Sequence, residues 1–128
     1  MEVKQARNAV IVSNVLFLIP IIIAVKEGLY FYALLLTVAT SISIIYHASH
    51  EKYLGSIDRT LATTVIIANL YLCYLSGFKE PFFATALLFV VFAFYFFFKA
   101  KNNYSLNHAL WHVCSVVITL MCVLAYVL

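Results

Sequence analysis

Five runs of apolar residues, parted by short charged or turn-forming breaks, divide the chain into stretches 8–25, 28–49, 56–77, 81–98 and 104–127. Each is close to the ~20 residues that a helix needs to cross the hydrocarbon of a bilayer. The pattern predicts an all-α, integral membrane bundle of about five transmembrane helices, forming one domain over residues 1–128. A membrane barrel would instead show at least about eight alternating segments of ~10 residues. Pro20 lies inside the first run and predicts a kink there. Lys26-Glu27-Gly28 separates the first two spans, and Gly77-Phe78-Lys79-Glu80-Pro81 places a turn and a first-position proline before the fourth. Such short connections predict antiparallel packing of neighbouring helices. The first run exceeds a typical signal-peptide core and no small-x-small pattern follows it, so it reads as a transmembrane helix. There is no internal repeat, low-complexity tract or soluble domain.

Composition supports the same class. Of the 128 residues, 66% are hydrophobic and only 10% charged, with a mean hydropathy of +1.04. A soluble domain wrapped around one apolar core is excluded. The basic residues then set orientation, because Lys and Arg in short loops are retained in the cytoplasm. The N-terminus and the second and fourth connections carry Lys4, Arg7, Lys52, Arg59, Lys99 and Lys101, against Lys26 and Lys79 on the other side. The N-terminus is therefore expected in the cytoplasm. On this reading the net charge of +3 is an orientation signal, and nothing in the chain resembles a nucleic-acid-binding module.

Cys73, Cys114 and Cys122 all fall within predicted spans and form no C-x-x-C pair. They read as small packing residues, with no structural disulfide expected. The nine tyrosines and eleven phenylalanines read as lipid-facing or interfacial. His50, beside Glu51 and Lys52, reads as a solvated loop residue.

The remaining polar residues carry the candidate chemistry. His47 lies near the end of the second span, Asp58 near the start of the third, and His108 and His112 near the start of the fifth. In the predicted topology all of these positions are on the cytoplasmic side. At 1.5 Å per residue, His108 and His112 stand roughly 6 and 12 Å from a helix start near Tyr104, and His47 is about as deep from its own end. His108 and His112 are i and i+4, so both rings project from one helical face and can hold one ion. His47 from a second helix makes three nitrogens and leaves a fourth position open, a catalytic zinc geometry. Ser43 is one turn before His47 and so lies on the same face. Asp58 is suitably placed as a general base, and Asn69, eleven residues on, extends its polar face deeper. Cys114 points to nearly the opposite face from His112. A single transmembrane histidine commonly serves only to hydrogen-bond another helix. Three at one depth, with a serine and an aspartate, make a site the stronger reading.

The string Ser43-Ile-Ile-Tyr-His47, then Asp58, then His108-Ala-Leu-Trp-His112 resembles the three signatures of the CREST superfamily of membrane hydrolases. That superfamily includes alkaline ceramidases, progestin and adipoQ receptors, haemolysin III-like proteins and GPI-anchor lipid-remodelling enzymes. The resemblance implies zinc on His47, His108 and His112, a zinc-bound water held and activated by Asp58, and Ser43 assisting at the oxyanion. It also implies a membrane lipid as substrate and cleavage of an ester or amide bond. The family is built on seven helices, whereas here one span separates the Asp58 helix from the histidine pair. Self-association is one way in which so small a bundle could rebuild the missing walls. The N-terminus offers only Glu2 where alkaline ceramidases carry an acidic cluster.

Two alternatives stay open. One is a receptor-like or scaffold protein with a structural zinc site, closed by a fourth protein ligand such as Asp58. The other is a redox protein with histidine-ligated haem, although two histidines one turn apart suit a small ion better than opposite axial positions. Three imidazoles and an oxygen accept several divalent metals besides zinc.

Overall fold

The computed structural model describes the backbone of residues 2–49, 51–100 and 104–128, and side chains within 8–49, 51–100 and 106–128. The expectations placed on His50, on Lys101 and on the side chains of Glu2, Lys4 and Arg7 lie outside the described residues. Six helical segments follow one another: α1 (Glu2–Val15), α2 (Leu18–Lys26), α3 (Tyr30–Ser49), α4 (Lys52–Leu75), α5 (Phe82–Lys99) and α6 (Tyr104–Val127). No strand occurs among the described residues. Four stretches are long and apolar enough to cross a membrane: Asn8–Lys26, Tyr30–Ser49, Phe82–Lys99 and Leu106–Val127. With 24 residues, α4 has the length as well, rising roughly 36 Å. Its Lys52, Asp58, Arg59 and three threonines make it the more polar member. The chain is thus an all-α, multi-pass bundle.

The first span is broken one turn earlier than the predicted kink, at Leu16-Phe17 between α1 and α2. Pro20 is the cause, since it has no N–H to offer Leu16 and its ring crowds that carbonyl. The Leu16 carbonyl accepts instead from the Ile19 N–H at 3.1 Å, and the Asn14 carbonyl from the Phe17 N–H at 3.1 Å, both i to i−3 contacts that tighten the chain into a turn.

Two helices end in the same device. After α2 the Leu29 N–H returns to the Ala24 carbonyl at 2.8 Å and the Gly28 N–H to Val25 at 3.2 Å. After α4 the Phe78 N–H returns to Cys73 at 2.9 Å and the Gly77 N–H to Tyr74 at 3.0 Å. Both are Schellman turns, and they require the positive φ that Gly28 (77°) and Gly77 (70°) adopt without a Cβ clash. Pro81 sits at the cap of α5, one residue ahead of the predicted first helical position.

The packing order is not simply sequential. α6 touches α1, α2, α4 and α5, while α3 touches α1, α2 and α4. Consecutive packing holds for α3 with α4 and for α5 with α6. It fails for α4 and α5, which do not pack closely on one another. Only 11% of the α5 span is buried inside the protein, so α5 stands at the periphery against α6.

The apolar core fills the end of the bundle away from the histidines, with Ala24, Ala33, Leu36, Leu72, Ala86 and Val123 among its members. Its small residues let helices approach closely, as packing in lipid favours. Cys73 and Cys122 belong to this core, and their sulfurs lie 3.1 Å apart across α4 and α6. Spacing in the sequence does not reveal that juxtaposition. The outer surface is strongly apolar, with Phe31 exposed to 92%. Such a surface is suited to lipid contact.

Candidate metal centre

α3 and α6 do not pack closely on each other; α1 bridges them on one side and α4 on the other. These four segments form a ring, and the gap at its centre is a cavity of about 380 Å³. His47, in the last turns of α3, and His108 and His112, in the first turns of α6, meet at one end of this gap. Their rings lie 5.0 Å (His47 to His108), 5.8 Å (His47 to His112) and 4.5 Å (His108 to His112) apart, centre to centre. One ligand nitrogen from each lies within 4.8 Å of the other two.

This geometry can be tested against a metal ion. Zinc–nitrogen bonds of about 2.0–2.1 Å in a tetrahedral site put two nitrogens about 3.3 Å apart. The rings therefore need to draw together by about 1.5 Å at most, which small side-chain rotations supply. Three neutral imidazoles are a suitable donor set for zinc and for several other divalent ions. Among the described residues no carboxylate or thiol joins the cluster. Cys114 is accordingly not part of it.

Asp58, near the start of α4, lines the same cavity, as do Ser43 and Asn69. The Ser43 hydroxyl lies beside the Asp58 carboxylate and accepts from Asn14 Nδ2 at 3.1 Å. Ser43 has one hydrogen, so accepting from the amide leaves that hydrogen for the carboxylate. The structure thus brings together every residue proposed from the sequence: His47, His108, His112, Asp58 and Ser43. Gly55 allows part of this packing, because a Cβ there would meet the Tyr46 ring at 3.1 Å. The Tyr46 ring itself lies 5.0 Å from that of His47.

Two residues of α1 complete the surroundings. Ser13 and Asn14 are 4% and 2% exposed, although they lie in the first apolar run. Ser13 Oγ donates to the Val10 carbonyl at 2.7 Å and lies 3.1 Å from His112 Nδ1. Sequence reasoning passed over both. The signal was present: Asn14 lies six residues into the first span, roughly 9 Å deep, level with the histidines.

From the histidines the cavity runs along Thr40, Ala62, Val65, Ser115 and Ile118 to Asn69 and Thr119. There Asn69 Oδ1 accepts from the Tyr32 hydroxyl, and Asn69 Nδ2 donates to Thr119 Oγ1 at 3.1 Å, tying α3, α4 and α6 together. Ile66 and Phe97 line the cavity and are 56% and 47% exposed. The cavity therefore reaches the lipid-facing surface beside α4. Trp111 packs edge-on against Phe97 with ring centres 4.8 Å apart, forming a wall between the surface and His108. Tyr95 of α5 is 55% exposed, lies under the Lys99 ammonium and does not line the cavity. Against protein families, characterised proteins and solved structures, the chain finds no match.

Proposed function

We propose that this chain is a metal-dependent intramembrane hydrolase that cleaves an ester or amide bond of a membrane lipid, in the manner of the CREST superfamily. One observation carries the reading: three imidazole nitrogens within 4.8 Å of one another sit at the end of a cavity that reaches the lipid-facing surface. A divalent ion held there, zinc first among the candidates, would supply Lewis-acid polarisation of a carbonyl and lower the pKa of a bound water to about 7.

His47, His108 and His112 hold that ion. Asp58 takes the proton from the attacking water and returns it to the leaving alkoxide or amine. Ser43 and Asn14 keep the carboxylate turned toward the cavity, and once Asp58 has taken the proton the Ser43 hydrogen is released to assist at the developing oxyanion. The hydrocarbon part of the substrate lies along Val65, Ile66, Phe97 and Ile118, which keeps bulk water from the reacting carbonyl. By the distribution of Lys and Arg the histidine end faces the cytoplasm. A chain anchored in that leaflet then brings its carbonyl to the histidines while its tail stays in lipid.

A donor set of three protein groups leaves one position open, which favours a catalytic ion over a closed structural one. A haem is disfavoured because His108 and His112 stand one turn apart on one face of α6, which suits a small ion better than the opposite axial positions of a macrocycle.

The test is elemental mass spectrometry on the detergent-purified protein, in wild type and in His108→Ala/His112→Ala, followed by hydrolysis assays on ceramides, phospholipids and GPI-like lipids. About one zinc per chain is expected in wild type, with near-complete loss in the double variant and release of fatty acid by wild type alone. A folded, unstripped wild type without metal would overturn the mechanism.

A further inference from the structure

Ser13 and Asn14, consecutive on a helix that supplies no histidine, share the Val10 carbonyl as an acceptor, and beyond it each reaches a different part of the site. A hydroxyl has one hydrogen to give. Ser13 gives its hydrogen to the Val10 carbonyl at 2.7 Å, which leaves only lone pairs facing His112 Nδ1 at 3.1 Å. The Val10 carbonyl, an acceptor only, also lies against the His112 side chain. With acceptors on that side, Nδ1 carries the hydrogen of the neutral ring and Nε2 keeps the lone pair. Asn14 Nδ2 donates to the same Val10 carbonyl at 3.3 Å, but its other bond, at 3.1 Å, runs to Ser43 and so toward Asp58, and among the described residues it hydrogen-bonds to no histidine.

From these contacts we infer that Ser13 is a positioning residue for the metal centre, holding His112 in the Nδ1–H tautomer with Nε2 directed at the ion. The inference rests on the reading of the three histidines as a metal site. An acceptor behind a ligating histidine fixes the ring's orientation and raises its basicity, and losing such a partner typically costs 10–100-fold in metal affinity. Asn14 hydrogen-bonds to none of the three histidines directly, and its bond to another helix leads to Ser43 on the carboxylate side. The two neighbours are therefore separable by experiment although they share one helix, one depth and near-complete burial.

The full chain, stripped of metal in detergent, is titrated with Zn²⁺ against a chelating competitor in wild type, Ser13→Ala, Ser13→Thr and Asn14→Ala. Thermal unfolding of the stripped proteins is recorded alongside. The expected result is binding near one ion per chain in wild type and about 10–100-fold weaker binding in Ser13→Ala. Ser13→Thr, which keeps the hydroxyl, recovers most of that loss. Asn14→Ala stays within about threefold of wild type, because its bond leads to the carboxylate. Equal affinity in wild type and Ser13→Ala overturns the inference and leaves the metal site standing. Equal weakening in Ser13→Ala and Asn14→Ala, matched by equal losses of stability, assigns both residues to packing and also overturns it. Absence of zinc binding in every protein, wild type included, identifies the metal reading itself as the failure.

Discussion

Helices α3 and α6 share two polar clusters at different depths, α4 joining only one of them through Asn69, and the two are built on different principles. At the core end, Tyr32, Asn69 and Thr119 form a line in which each donor meets an acceptor: hydroxyl to amide oxygen, then amide nitrogen to hydroxyl. At the other end, His47, His108 and His112 converge with their rings steeply tilted to one another, one nitrogen of each within 4.8 Å of the other two. The first arrangement is complete in itself and ties helices together, as polar groups in lipid commonly do. The second brings three nitrogens to one point, which is the arrangement that an ion satisfies. Polarity inside a membrane therefore does not by itself mark a site; the way in which the groups face one another does.

The largest effect should separate the two clusters outright. His47→Ala removes the only ligand that α3 provides, and is expected to abolish stoichiometric zinc binding and all hydrolysis, with helicity by circular dichroism unchanged. Asn69→Ala, at the other cluster, is expected to keep its zinc. Loss of metal from Asn69→Ala with retention in His47→Ala would reverse the comparison. Next in size is Asp58→Asn, which keeps the shape of the carboxylate and removes its basicity. It should retain about one zinc per chain yet lower kcat by 10²–10⁴-fold, the usual share of a general base. Retained activity would remove Asp58 from the chemistry. The smallest effect belongs to the self-contained cluster. Asn69→Ala forfeits two interhelical hydrogen bonds, each worth about 0.6 kcal/mol in a membrane bundle, for a loss of about 1 kcal/mol. A fall of a few degrees in thermal midpoint would fit, and an unchanged midpoint would strip the cluster of its structural role.

Much of this arrangement is legible from spacing. The apolar runs predict α3, α5 and α6 closely, and the i, i+4 pair with a third histidine at matching depth predicts convergence before any fold is known. The phase of Asp58 and Asn69 likewise predicts that both face the same cavity, as they do. What spacing misses has physical reasons. Ser13 and Asn14 lie in a strongly apolar run, and their partners sit about 30 and 100 residues away along the chain. Only packing of α1 between α3 and α6 reveals them. The break at Leu16-Phe17 precedes Pro20 because the damage of a proline falls on the carbonyl four residues earlier. The separation of α4 from α5 is equally hidden, since a six-residue connection suggests contact. In the structure α5 packs on α6 instead.

The cavity beside Ile66 and Phe97 has a consequence for how encounter with this site is counted. A molecule that comes to the histidines through the flank of the bundle travels in a two-dimensional solvent. Its supply is then set by its mole fraction in the surrounding bilayer or micelle, with bulk molarity acting only through partition into that phase. Added detergent dilutes it even when total volume and total amount are fixed. For this geometry the natural variable of saturation is surface composition, and the natural unit of distance to the site is a lipid diameter along the leaflet.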